Sequence, residues 1–572
     1  ERDHINIDNL SLKDSETFEL LQRGETTGIF QLESRGMRDY LKQLVPNDFE
    51  DIVSMNALYR PGALGMNMVD SYINRKHGRE EVTYGHESVK KILSTTYGVI
   101  VYQEQVMQIA QELSGFSLGQ ADILRRAMGK KKKEEMESLR STFVDGAVKK
   151  DVNERYAANL FDQIEQFAGY GFNRSHSVGY ALIAYQTAWL KTHFPAEFMA
   201  SVLSCDLGNT DNIQLFVDDC RNIGLSIEKP DINRSSYRFE DLDSRTILYG
   251  LGAIKGIGES LVEQIVSQRN IEQFKDMHDF CMRIGSNRIN RRILTTLIGS
   301  GAMDSFGKRE DLFRRIDSYL KNAEQASERN KSNIQDLFGE EIISPAEDVV
   351  NDDIEFDEVS SEWSALGFYL DSHPLESKKK EVRNMCGFFI SELQSEEHTQ
   401  RIAGCLMQFN VRQGKRGRFA FATLDDGSSK IEVSIWADVF EKYRSLLKKG
   451  QVLVVEGMIE KDEYSNFAKH KMIADKILTF DQARHEYVKN IKIDIENNDI
   501  SSEELVNSLK LIANSSEGNQ VLISYKGESA AADIVLPSDF SVRLDDSSIK
   551  ALGKRFGPEN VKFVYHSQYH IN

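Results

Sequence analysis

Apolar and polar residues in the first two hundred positions repeat at helical spacing, punctuated by glycine and proline. The segments SETFELLQRG and NDFEDIVSMNALYRPG open on polar residues and close on glycine or proline, which predicts two helices. Residues 97–102 (YGVIVY) read as a short strand feeding a helix over QEQVMQIAQEL that stops at Ser114 and Gly115. Ser117 and Gln120 have capping-box spacing for the next helix, and Gly129 marks its expected break. The helix after Ser175 carries Val178, Ala181, Leu182, Tyr185 and Trp189 on one predicted stripe, and Pro195 prevents its simple continuation.

Further on the pattern changes twice. Residues 248–269 (LYGLGAIKGIGESLVEQIVSQR) read as a short helix, a tight turn at Gly256, Ile257 and Gly258, and a second helix. This is a helix–hairpin–helix pattern, with Lys255 beside the turn and a degenerate second copy at 289–306. Residues 321–361 are polar and then acidic, as a flexible linker would be. From about 399 to 480, five strand-like runs surround one helical segment, which predicts a β-barrel OB-fold. The last stretch alternates strands and helices as a small α+β domain, including a helix over 501–512. The expected fold is multidomain: mostly α-helical at first, then a barrel, then α+β.

Composition narrows the class. A chain of 572 residues exceeds one hydrophobic core, and 40% apolar with 28% charged residues is ordinary for globular protein. No apolar run reaches the ~18–20 residues of a membrane span, so no membrane association is expected. Five scattered cysteines, never in CxxC spacing, argue for a reducing cytoplasm and against a structural zinc. The opening at Glu1, in helical-looking sequence, suggests a piece of a longer protein. The net charge of −18 is segregated: ten acidic residues and no Lys or Arg fall within 340–362, while cations cluster at 124–133, 288–292 and 412–418. Segregation of this kind suits a polyanion partner.

Candidate chemistry follows those clusters. Arg125, Arg126 and Lys130 lie in LRRAMGKKKK, and Tyr170, Asn173, Arg174, His176 and Tyr180 surround the start of the long helix. A guanidinium pair and a helix N-terminus both bind phosphate, so a polyphosphate cradle of hydrolase, kinase or polymerase type fits. A solvated helix face fits the lysine run equally well. In the OB-fold, Arg412, Lys415, Arg416 and Arg418 accompany Phe419 and Phe421, which share one strand face and read as either core or a base-stacking platform. Asp494 with Glu496, and Asp425 with Asp426, lack a third carboxylate at defined spacing, so no metal site is assigned.

Several long blocks carry a resemblance: GIFQLESRGMRDYL, NALYRPGALGMNMVDSYINRKHGRE, TTYGVIVYQEQVMQIAQELSGFSLGQADILRRAMGKKK and FAGYGFNRSHSVGYALIAYQTAWLK. They closely resemble the bacterial replicative DNA polymerase III alpha-subunit family, the C-family polymerases, and the similarity continues to the end of the chain. The resemblance implies fingers over 1–205, a helix–hairpin–helix region over 206–320 and the acidic linker over 321–361. A helical connector over 362–395, the OB-fold over 396–482 and a partner-binding domain over 486–572 complete it. It implies that Arg125, Arg126, Lys130 and the 170–180 segment face a dNTP, and that Lys255, Gly256, Ile257 and Gly258 with the OB-fold residues face primer–template DNA. Ile334, Gln335, Asp336, Leu337 and Phe338 correspond to the peptide that binds the beta sliding clamp, with Ile334 where the family has glutamine. The clamp-loader tau subunit is the implied partner of the last domain, and a cytoplasmic replication fork the implied location. The family's Mg2+-binding palm aspartates are expected upstream of Glu1, so these residues alone are expected not to polymerise. A non-catalytic DNA-binding and clamp-tethering scaffold is the alternative.

Overall fold

The computed structural model describes residues 5–130, 133–167, 171–332, 356–371, 373–394, 399–461, 470–496, 506–507, 510, 518–527 and 531–566. The chain divides into two compact units. One comprises Glu1–Asn290, Gly301–Phe306 and Tyr319–Phe338; the other comprises Arg291–Ser300, Gly307–Ser318 and Gly339–Asn572.

The first unit is helical where sequence punctuation says it should be. Helix Ser15–Arg23 starts on the Asp14 carboxylate, which accepts from the Thr17 N–H, and ends on left-handed Gly24. Helix Phe49–Leu58 has an Asp48–Asp51 capping box, and helix Gln103–Ser114 ends on left-handed Gly115. Ser117 and Gln120 exchange hydrogen bonds at the start of helix Leu118–Lys130, which ends one residue beyond Gly129. The expected strand at 97–102 is reduced to one parallel bridge, Tyr102 to Phe172. Two hydrophobic clusters result. One packs the helices Ser15–Arg23, Arg35–Leu44 and Phe49–Leu58 on Arg174–His193; the other packs Gln103–Ser114, Leu118–Lys130 and Glu154–Phe167.

The predicted stripe on helix Arg174–His193 needs correction. Its buried face is Ser177, Ala181, Ala184, Tyr185, Ala188 and Lys191, whereas Leu182 is exposed. Small residues let this helix lie close against Phe49–Leu58, where the Ser177 hydroxyl donates to the Val53 carbonyl at 2.6 Å. Lys191 is buried because its ammonium donates to Asp219, to the Glu25 carbonyl and to the Thr27 carbonyl at 2.6, 3.0 and 2.8 Å. Thr27 in turn donates to Asp219 and accepts from Arg38. Helix Pro195–Cys205 follows, with Pro195 at its first turn where a missing N–H costs nothing.

The helix–hairpin–helix region departs from expectation in its first half. A three-stranded sheet, β1 (Ser226–Glu228), β2 (Glu240–Asp243) and β3 (Thr246–Leu248), precedes it in the order β1-β3-β2. Strands of three or four residues leave too short a pattern to read. The first helix of the hairpin is only the 3-10 turn Leu251–Ala253, followed by helix Glu259–Ile271. At 289–306, helix Arg291–Gly299 is followed by a 3-10 turn, Asp304–Phe306, in place of a second helix. Helix Ile316–Ser332 takes up the start of the expected linker, and helix Glu358–Leu366 its end.

In the second unit β4 (Gln400–Gly414), β5 (Gly417–Asp425), β6 (Lys430–Ile435), β7 (Val452–Lys461) and β8 (His470–Thr479) close a barrel in the order β4-β5-β6-β8-β7. Helix Ala437–Tyr443 sits before the fourth strand, as the OB-fold reading requires. The last sheet, β9 (Val488–Glu496), β10 (Gln520–Lys526), β11 (Ala531–Val535) and β12 (Val561–Tyr565), has the order β11-β10-β9-β12. Helix Asp546–Phe556 supplies Leu552 and Phe556 to its core; most of the helix expected over 501–512 lies outside the described residues. Arg484 is 1% exposed and ties helix Phe480–Tyr487 to Glu381 at 2.7 and 3.0 Å and to Asp546 at 2.6 Å. No described helix is long and apolar enough to cross a membrane.

Candidate functional site

Helix Leu118–Lys130 buries Ala121, Leu124 and Ala127, so Asp122, Arg125 and Arg126 fall on its outer side. Asp122 orders both guanidinium groups: Arg125 donates to its Oδ1 at 2.8 and 2.9 Å, and Arg126 to its Oδ2 at 2.7 Å. The Arg125 hydrogen bond is the largest cause of a lowered Asp122 pKa. One carboxylate thus holds two cations side by side while Arg126 stays 66% exposed. Lys130 closes the helix.

The second cluster forms at the start of helix Arg174–His193. Asn173 is its N-cap: Oδ1 accepts from the His176 N–H at 2.8 Å. Asn173 Nδ2 donates to Glu104 Oε1 at 2.8 Å, and the Arg174 N–H donates to both Glu104 oxygens at 3.2 and 3.1 Å. The Arg174 guanidinium donates to Glu50 Oε1 at 2.7 Å. The His176 ring lies 4.3 Å from the Tyr180 ring and 5.5 Å from the Phe172 ring, and Phe30 continues the row beyond Tyr180 at 5.3 Å. Tyr170 lies outside the described residues. The helix start is therefore capped by the protein's own groups, not open as the sequence suggested. The arginine pair and this helix start belong to separate hydrophobic clusters.

At the hairpin, Gly256 has φ +78°, which closes a turn from the Ile254 carbonyl to the Ile257 N–H. A Cβ on Gly256 or Gly258 would meet nothing within 4 Å, so the backbone leading into helix Glu259–Ile271 faces open space. Lys255 is exposed beside it, and Ile257 is buried as the anchor of the turn.

The barrel places its two candidate phenylalanines outside the core. Ala420 and Ala422 point into the core, so by strand alternation Phe419 and Phe421 stand on the opposite face. Sequence reasoning missed Trp436, which joins them: its ring is 5.4 Å from Phe419 and 6.3 Å from Phe421, and the residue is 48% exposed. The signal was present as an aromatic one position beyond the apolar run KIEVSI. Arg412 stacks 5.3 Å over Phe421, and Arg418 pairs with Glu441 at 2.9 Å. Lys415 and Arg416 are exposed at the β4–β5 turn.

The remaining candidates separate. Ile334, Gln335, Asp336, Leu337 and Phe338 lie outside the described residues. Asp426 is buried and accepts from the Ile390 N–H at 2.7 Å, and Asp494 pairs with Lys562 at 2.5 Å; both are structural. Among the described residues no group of three or more His, Cys, Asp or Glu could hold a metal ion. The carboxylates nearest the arginines, Asp122, Glu50 and Glu104, are each engaged by protein donors. These residues do not fit a Mg2+ centre, and no chemical step is assigned to one here.

Comparison with known proteins agrees with this layout. Residues 1–151 match the family model of the bacterial DNA polymerase III alpha subunit finger domain, 224–312 a helix-hairpin-helix motif, and 401–479 an OB-fold nucleic acid binding domain. DNA polymerase III subunit alpha of Escherichia coli (strain K12) is 41% identical over 587 residues, covering 98% of this chain and 50% of that protein. The Pseudomonas fluorescens subunit is 38% identical over 589 residues with the same coverage. That of Haemophilus influenzae is 43% identical over 513 residues, covering 87% of this chain and 44% of its own. The chain spans about half the length of these relatives. Aligned with them along nearly all of its own length, and matching the finger-domain model at its start, the chain belongs to the bacterial DNA polymerase III alpha-subunit family.

Proposed function

We propose that these 572 residues are the nucleotide- and DNA-gripping part of a template-directed DNA polymerase. The observation that carries this reading is the Arg125–Arg126 pair, ordered by Asp122, with Arg126 exposed, within the segment that matches a polymerase finger domain. Two adjacent guanidinium groups suit a triphosphate and stabilise negative charge developing on departing pyrophosphate. Arg174 is proposed to meet a phosphate of the same dNTP, with His176 and Tyr180 beside it and Asn173 fixing the helix start. In this reading the metal-holding carboxylates come from outside these residues. The test uses the full-length protein with a dideoxy-terminated primer on a template. The matching dNTP is expected to tighten that complex and a mismatched one to leave it unchanged; equal affinity with both would sink the reading.

The glycine turn at Lys255–Gly258 is proposed to track duplex backbone, and the barrel face to bind single-stranded template. Phe419, Phe421 and Trp436 would stack bases while Arg412, Lys415, Arg416 and Arg418 neutralise phosphates. Trp436→Ala is expected to weaken binding of a single-stranded oligonucleotide by about 1–3 kcal/mol, read by fluorescence anisotropy of a labelled strand. Unchanged affinity would show that the rings do not stack on bases. Residues 334–338 are proposed to tether a sliding clamp, Leu337 and Phe338 filling an apolar pocket, and the last domain to bind the clamp-loader tau subunit. A cytoplasmic replication fork is the corresponding location.

A further inference from the structure

Three helix starts converge on Arg174. Glu50 lies in the first turn of helix Phe49–Leu58, Glu104 in the first turn of helix Gln103–Ser114, and Arg174 opens its own helix on Asn173. An acidic residue in a first turn is favourable to the helix that carries it, because the unpaired N–H groups there are partly positive. Both glutamates also reach across to the third helix, and they do so differently. Glu104 takes main-chain and cap donors, the Arg174 N–H and Asn173 Nδ2. Its position is locked by the bridge between residues 102 and 172, where the Gln103 N–H donates to the Phe172 carbonyl at 2.9 Å and the Gln103 side chain to the Gly171 carbonyl at 3.1 Å. Glu50 accepts from the guanidinium, through one oxygen at 2.7 Å, and that pair is open to solvent: Arg174 is 44% and Glu50 36% exposed in the side chain.

We infer that the Glu50–Arg174 ion pair is an internal latch: Glu50 occupies the guanidinium until the phosphate of a nucleotide displaces it, so the pair sets nucleotide affinity. This rests on the proposal that Arg174 lies in the nucleotide site. One anion replaces another on the same cation, Glu50 turns to solvent, and no bond other than hydrogen bonds is broken. A phosphate offers three acceptor oxygens and more negative charge where Glu50 engages the guanidinium through one oxygen, so the substrate wins the exchange, while a neutral molecule does not open the latch. Glu104 stays on the main chain throughout as a positioning residue.

The test measures binding of the matching dNTP to full-length protein carrying a dideoxy-terminated primer–template, for Glu50→Gln, Arg174→Ala and the double variant. Because a half-exposed ion pair is weak, E50Q is expected to tighten dNTP binding by about two- to fivefold, and R174A to weaken it. E50D keeps a charge in the helix's first turn but shortens its reach, so it is expected to tighten binding as well; it separates the latch from any loss of helix stability. In the double variant the gain from E50Q should vanish. If R174A weakens binding but E50Q and E50D do not tighten it, the latch is refuted and the nucleotide site stands. A gain that persists without Arg174 also refutes the latch. If R174A leaves dNTP affinity unchanged, the placement of Arg174 in the nucleotide site fails, and the latch with it.

Discussion

Replacing Arg126 by alanine in the full-length protein is expected to lower kcat/KM for nucleotide incorporation by about 100-fold, the usual cost of removing a preorganised donor to a developing negative charge. The structure gives the reason in two parts. Arg126 is exposed enough to meet a ligand, and Asp122 has already fixed its direction, so little ordering remains to oppose binding. If the group acts mainly on departing pyrophosphate, kcat falls more than KM rises. Asp122→Asn leaves both cations in place and removes only the charge that aligns them, so it should cost less than R126A. Steady-state kinetics on a primed template distinguish the two. Unchanged kinetics for R126A would remove the arginine pair from the nucleotide site.

The other large effect concerns stability. Asp219→Ala is expected to destabilise the first unit by about 3–5 kcal/mol, because it strands a buried ammonium. Lys191 has a side-chain exposure of 0%, and Asp219 is its carboxylate partner at 2.6 Å. Burial already lowers the Lys191 pKa below its ordinary 10.5. The folded state therefore releases this proton before the unfolded state does, and this group's contribution to stability rises with pH up to about 10.5. Without Asp219 the pKa falls further, so the deficit of D219A should shrink as the solution becomes more alkaline. Chemical denaturation followed by Trp189 fluorescence, with Trp363 and Trp436 replaced by phenylalanine, reads this unit. A deficit that stays constant with pH would show that Lys191 is not its source.

Sequence reasoning succeeded where a local device decides the structure. Ser117 and Gln120 cap a helix across three residues, and Gly24 and Gly115 end helices by adopting the left-handed conformation only glycine takes cheaply. The barrel was legible for a related reason: its strands are long enough for alternation to repeat several times. What was not legible depends on partners far along the chain. Lys191 looks like a surface residue until Thr27 and Asp219 surround it, from 164 and 28 positions away. Glu50 and Glu104 carry no motif, and only folding brings them to Arg174 across 124 and 70 positions. The sequence names the candidate cations, but not their counter-anions, which decide how available they are.

The alternation along β5 also constrains how this barrel can change. Between Gly414 and Gly417 the hairpin turn fixes which residue of β5 lies opposite which residue of β4. Deleting a single residue there would slip the pairing by one, carrying Phe419 and Phe421 inward to places now filled by Ala420 and Ala422. Two rings cannot enter spaces shaped for methyl groups, so the strand would have to bulge or the barrel to open. Length variation at this tip therefore keeps both faces in place only in steps of two, unless a bulge absorbs the odd residue.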